Sequence, residues 1–491
     1  MTTDEIESGH VEEMTSEEAS FVSRKHLDAN CKASNIHRRP NAGNGAWLCC
    51  LVPLALLVNA WTHPKSSSLL YKVSGFIGFG LFLQTAEIIF KLSCRRVIGI
   101  INVPTKLLPG IACSLLIWFL LEDSLIFTLC ALPCCLIYNS LYISLLQRMP
   151  RSFSLGEAAI VSQGLAIFLF GAGIKIFDAL QDPSMFEMEQ MTAILSVAIL
   201  AVLLLILLLH VSSCCRHPLV FLILLTLWLL LTGFTPVTDP LPVILVASFI
   251  ILDIGRLSVV LIYAGICGIT GAFVAWKISK KTATSVSLRK VFHLVIVIVY
   301  LIGIICQCTM LFLASGLLLA LFVIFEAARL INFPVIAQHL QAIVGAFVDE
   351  KDAGVVALTP IYLLAGCSLP LWLHPAPCDL TDSTAFTLLP LLAGILSVGI
   401  GDTMAGVIGS KLGRHRLANS QKTIEGTLAN ILSQVLTIFI LHLAGLISLH
   451  LSSVIASLVG VTVSALLEAK TDQVDNLFLP LVTFIIFSVR I

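Results

Sequence analysis

The residues that could do chemistry in this chain sit in a few short polar stretches, and the densest runs from Gly399 to Gly426. Asp402 lies between Gly401 and Thr403, and a carboxylate there can hold a divalent metal ion. A charge at the end of an apolar run also demands a cation, and an ion bridging phosphates is the simplest one. Gly401, Ala405, Gly409 and Gly413 recur every fourth position, which is one face of a helix where a backbone or a phosphate can come close. Helix packing in membranes uses the same spacing, so the stripe gains chemical meaning only from its neighbours. Those neighbours are Asp402 and the run Lys422-Thr423-Ile424-Glu425-Gly426, whose lysine can meet phosphate oxygens as a point charge.

Other polar stretches stand beside apolar runs. Asp349-Glu350-Lys351-Asp352 can bind a metal or take a proton, although a solvated acidic loop accounts for its composition alone. Glu468, Thr471, Asp475 and Asn476 lie between two apolar runs, where a helix-to-helix turn explains Asp475 but not Glu468. Glu326 and Arg329 stand at i and i+3, the spacing of a local ion pair, with Arg329 also able to touch phosphate. Arg289 and Lys290 read as interfacial anchors, whereas His293, one turn further into the same span, does not. Glu157, after Ser154-Leu155-Gly156, reads as a favourable charge at a helix N-terminus.

The elements that must position these groups are membrane spans. The 491 residues are 58% hydrophobic and 12% charged, with a mean hydropathy of +1.00, which predicts an all-α, polytopic transmembrane bundle. Counting apolar runs gives roughly 13–16 spans, since several runs are shorter than the ~20 residues a spanning helix needs. The formal net charge is zero, so no nucleic-acid footprint is expected. The cysteines fall mostly inside apolar runs, where they read as small hydrophobes, and no disulfide framework is expected. Residues 1–45 read as a polar disordered tail without a cleavable signal peptide, and the span beginning at Ala46 as a signal anchor. A transmembrane array over 46–255 and a site-bearing transmembrane domain over 256–491 follow. Lys277, Lys280, Lys281, Arg289 and Lys290 form a basic loop that the positive-inside rule assigns to the cytosol. Counting spans from there puts 329–352, 401–425 and 470–475 on the same side, and 375–382 on the other.

Gly401-Asp402-Thr403-x-Ala405, the spaced glycines and Lys422-Thr423-x-Glu425-Gly426 resemble the cytidine-nucleotide signature of membrane-embedded CTP-dependent lipid enzymes. Gln421 stands where many of those enzymes carry a first lysine. Arg289-Lys290-x-Phe292-His293, the Asp349 loop with its following Tyr362 span, and Glu468 to Leu477 are similar to segments of dolichol kinases within that group. The resemblance implies CTP and dolichol or another polyprenol as substrates in the endoplasmic reticulum membrane, yielding dolichyl phosphate for protein glycosylation. It implies Mg²⁺ or another divalent cation such as Ca²⁺ on Asp402 with Asp349 or Asp352, any one of which could accept the alcohol proton. It further implies nucleotide contacts from Gly401, Thr403, Gly409, Gly413, Lys422, Thr423, Glu425 and Gly426. Arg329, His293, Glu468, Thr471, Asp475 and Asn476 complete the candidates. A phytol-type kinase or a CDP-diacylglycerol synthase would share the signature. A transporter would share only the many spans and broken helices.

Overall fold

A bilayer offers the backbone no hydrogen bonds, so long Leu-, Ile- and Val-rich runs satisfy themselves as helices. The computed structural model describes residues 26–40, 42–94, 103–121, 125–183, 186–280, 285–334, 336–347, 354–378, 388–417 and 422–489. Asp349, Asp352 and Gln421 lie outside the described residues. The first eight helices are α1 Leu51–Thr62, α2 Leu69–Ser93, α3 Val103–Leu120, α4 Leu125–Arg148, α5 Leu155–Gln181, α6 Glu187–Val211, α7 Pro218–Phe234 and α8 Pro242–Ile251. Next come α9 Ile254–Ser279, α10 Ser285–Cys306, α11 Cys308–Leu330, α12 Ile336–Phe347 and α13 Thr359–Leu373. A π-helix, Ile395–Asp402, runs directly into α14 Thr403–Leu412, and α15 Ile424–Leu443, α16 Leu451–Lys470 and α17 Asp475–Ser488 complete the chain. No strand occurs among the described residues. Among the described residues ten helices are long and apolar enough to cross a membrane, and six shorter apolar helices bring the total to sixteen, so the expected 13–16 lies within the range from ten to sixteen.

The two halves share their cores. One buried cluster joins Leu48, Ile77, Tyr138 and Leu155 to Tyr362, Phe478 and Leu481. The Trp47 ring meets Phe478 edge-on at 5.4 Å, and Tyr71 donates its hydroxyl hydrogen to the Leu373 carbonyl at 2.6 Å. The N-terminal array therefore packs against the helices that carry the signature residues.

Two expectations need correcting. Residues 26–40, assigned to a disordered tail, are folded: 26–33 are helical, and Leu27, Cys31 and Ile36 are buried. Arg39 ties this segment into the bundle through Glu157, a tertiary pairing that local composition does not report. A disulfide also joins Cys308 to Cys378, whose Cα atoms are 5.4 Å apart. Nothing in the spacing of cysteines 70 residues apart marks such a pair.

Candidate active site

The signature stretch is placed by an irregular helix. Over Ile395–Asp402 the backbone widens to π-helical turns before resuming α-geometry at Thr403. Such insertions re-aim side chains and recur at functional sites. They take Asp402 off the plain helical register. The small-residue stripe faces α15 rather than open space. A Cβ on Gly401 would lie 2.5 Å from Asn430 Oδ1 and 2.6 Å from Gln434 Nε2, so glycine is what lets the two helices approach. Further along, Gly409 and Gly413 abut Thr423, and Gly409 also meets Gly426.

Between α14 and α15 lies a cavity of about 280 Å³, lined by Asp402, Gly409, Ser410, Lys422, Thr423, Gly426 and Glu468 among others. Carboxylate oxygens of Asp402, Glu468 and Asp475 all lie within 4.8 Å of one another at its edge. Lys422 extends its ammonium into this set. Its Nζ donates to the Glu468 carbonyl at 2.9 Å, pairs closely with Glu468 Oε1, and stands 3.9 Å from Asp475 Oδ2. Burial works against a charge on Lys422, but Asp475, Glu468 and Asp402 outweigh it and hold its pKa above the ordinary lysine value.

Asp402 has a second cation. Lys290 Nζ lies 2.9 Å from its Oδ2 and donates to its backbone carbonyl at 2.8 Å. Buried His293, one turn along α10, places Nδ1 at 3.4 Å from both Asp402 Oδ2 and Thr403 Oγ1. The charge demand that the sequence assigned to a metal is thus partly met by Lys290. Among the described residues the set holds three carboxylates and the ammonium groups of Lys422 and Lys290. A set of hard carboxylate oxygens suits Mg²⁺ or Ca²⁺ rather than a soft metal.

The remaining candidates have other partners. Thr423 caps α15, its Oγ1 accepting from Gly426 N–H at 3.2 Å. Glu425 turns outward to His415, accepting from its N–H at 3.2 Å and meeting its Nδ1 at 2.7 Å, which closes the loop between α14 and α15. Arg329 pairs with Glu326, Gln341 and the Val355 carbonyl, none of which lines the cavity. Glu326 in turn accepts from Ala357 N–H at 2.8 Å, so this pair latches the chain that follows the Asp349 loop. Thr471 Oγ1 accepts from Gln473 N–H within its own turn. Asn476 lies in the first turn of α17, its backbone carbonyl tight against Gly366. Sequence reasoning missed Lys290 as a partner of Asp402, and missed Ser410 and Thr427 in the cavity wall. The spacing of Lys290 and His293, three apart on one helix, was the available signal.

A family model described as dolichol kinase matches residues 76–442. The chain belongs to the dolichol kinase family. It is similar to mouse and human dolichol kinases, each 40% identical over 212 residues that cover 42% of this chain and 39% of the relative. The Arabidopsis thaliana dolichol kinase EVAN is 38% identical over 200 residues, covering 40% of this chain and 34% of that protein. The chain thus spans about two fifths of the length of the mammalian relatives it matches. No solved structure matches it. Within this dolichol kinase family member, Asp402 and Lys422 fall inside the span matched by the family model, and Glu468 and Asp475 fall beyond it.

Proposed function

We propose that this chain is a CTP-dependent dolichol kinase, transferring the γ-phosphoryl group of CTP to the hydroxyl of dolichol in the endoplasmic reticulum membrane. The dolichyl phosphate so made would serve protein glycosylation. The observation that carries the reading is the convergence of Asp402, Glu468 and Asp475 beside Lys422, with Asp402, Glu468 and Lys422 lining one cavity. Asp402, Glu468 and Asp475 would hold a divalent cation, and such an ion neutralises charge on the transferring phosphate when bound. Lys422 would offer its ammonium to the triphosphate, and Gly409 and Gly426 add stretches of bare backbone to the cavity wall beside Ser410 and Thr423. Lys290 and His293 hold the Asp402 carboxylate in place. Phosphoryl transfer asks for little more than positioning and charge neutralisation. Apolar helices flank the cavity, and on this reading the lipid alcohol would come to it from the bilayer and the nucleotide from water.

Purified full-length protein supplied with γ-labelled CTP, dolichol and Mg²⁺ should place label on the lipid. Release of pyrophosphate would instead mark a cytidylyltransferase, and absence of both would defeat the reading.

The disulfide supports a cytosolic cavity. Lys290, beside Asp402, stands near the start of α10, and Cys308 follows its far end, about 25 Å away at 1.5 Å per residue. Disulfides persist in oxidising compartments such as the endoplasmic reticulum lumen, which favours an orientation with the opposite end, and the cavity, toward the reducing cytosol. In sealed microsomes, a cysteine at exposed Lys470 (Lys470→Cys) should react with an impermeant maleimide from outside. One at exposed His450 (His450→Cys), across α16, should react only after the membrane is opened. The reverse pattern would turn the molecule over.

A further inference from the structure

Glu468 lies in the last turn of α16 and Asp475 begins α17, so the turn Thr471 to Val474 sets how these two carboxylates meet. That turn is held from the other half of the chain. Val474 N–H donates to Glu157 Oε1 at 2.8 Å, immediately before Asp475. Arg39 Nη2 donates to the Asp472 carbonyl at 3.0 Å and to the same Glu157 oxygen at 2.6 Å. Arg39 Nε completes a forked pair with Glu157 Oε2 at 3.2 Å. Ser154 Oγ donates to Gln473 Oε1 at 2.5 Å, and Gln473 Nε2 donates to the Gly43 carbonyl at 3.2 Å.

The holding group is rigid. Arg39 and Glu157 side chains are 4% and 1% exposed, so the pair is screened from water. Glu157 also accepts from Ser154 N–H at 2.8 Å in a capping box, which fixes its carboxylate at the N-terminus of α5. The backbones touch as well, because a Cβ on Gly156 would fall 1.8 Å from the Gly45 carbonyl oxygen. A plain helix cap uses one carboxylate at a helix start. Here the same carboxylate also bonds an arginine 118 residues upstream and an amide 317 residues downstream.

We propose that Arg39 and Glu157 are positioning residues for the metal-binding carboxylates: they clamp the turn that brings Glu468 and Asp475 against Asp402. The inference rests on the metal reading of those carboxylates given above, and it assigns the N-terminal half a part in the site. Neither residue is among those that line the cavity.

The test is Mn²⁺ binding to detergent-purified full-length protein, followed by electron paramagnetic resonance, with turnover measured across a Mg²⁺ titration. Wild type should bind Mn²⁺ and Asp402→Asn should not. Glu157→Gln should weaken binding by about 10- to 100-fold, the range for groups that orient metal ligands. Its turnover should recover as Mg²⁺ is raised, which a protein that has lost its fold cannot do. If Glu157→Gln does not accumulate, the double variant Arg39→Met with Glu157→Met leaves no lone buried charge and carries the same expectation. Wild-type Mn²⁺ affinity in these variants, with Asp402→Asn still defective, overturns the clamp alone. A wild-type protein that binds no Mn²⁺ overturns the metal reading and the clamp together.

Discussion

Asp402→Asn should insert and accumulate like the parent chain yet lose at least about a hundredfold in turnover, about 2.7 kcal/mol of transition-state stabilisation. The amide is isosteric, and Lys290 keeps its bond to the Asp402 backbone carbonyl at 2.8 Å, so the π-helix retains one of its anchors. The variant gives up the oxygen charge shared with Glu468 and Asp475 within 4.8 Å. Because Lys290 already serves as a counter-charge, Asp402 needs no metal merely to be tolerated in the bundle. The charge must therefore be tested by function rather than by stability. Thermal aggregation of the ligand-free variant should match wild type, while protection by CTP with Mg²⁺ should vanish. Turnover above about a tenth of wild type would put less than about 1.4 kcal/mol at stake and remove Asp402 from the chemistry.

Much of the fold could be read from the sequence, because apolar runs in a bilayer have one answer. Short runs such as Pro242–Ile251 blurred the count, since length alone does not say whether such a helix crosses. The site was legible residue by residue but not as an arrangement. Asp402, Lys422, Glu468 and Asp475 each stand out in the chain, but the metal partners that the sequence suggests for Asp402 are Asp349 or Asp352, which lie outside the described residues. The structure brings Glu468 and Asp475 to it through the packing of the π-helix and α15 against α16 and α17, and no local pattern encodes that.

Lys290 shows the same gap. At the start of an apolar run, a lysine that anchors at the interface and a lysine that neutralises a buried acid 112 residues away look alike. Glu157 is a charge at a helix N-terminus, as its place in the sequence suggests, but a carboxylate has two oxygens and the cap accounts for part of their capacity. Its other partners, Arg39 and Val474, lie in segments that only the tertiary fold brings together. The small-residue stripe was ambiguous for a physical reason, since close helix packing and access for a phosphate both need the absence of a Cβ. Gly401 serves the first, and Gly409 both packs on Thr423 and lines the cavity.

Lys422→Ala should separate metal binding from catalysis by moving them in opposite directions. The Lys422 ammonium stands 3.9 Å from Asp475 Oδ2 and pairs closely with Glu468, occupying the charge environment that a cation would share. Removing it takes one positive charge away from the three carboxylates and leaves Lys290 on Asp402, so the cluster becomes more negative. Mn²⁺ affinity should rise, because like charges brought together favour a divalent ion. Turnover should nonetheless fall at least about a hundredfold, about 2.7 kcal/mol, if Lys422 makes the charge-assisted contact to the triphosphate proposed above. Glu468→Gln provides the contrast, since it should lower metal affinity and turnover together. A Lys422→Ala protein with weakened Mn²⁺ binding would show that the lysine organises the carboxylates rather than competing with the ion. One that keeps near-normal turnover would show that the nucleotide phosphates lie elsewhere in the cavity, and the assignment of Lys422 would fail with them.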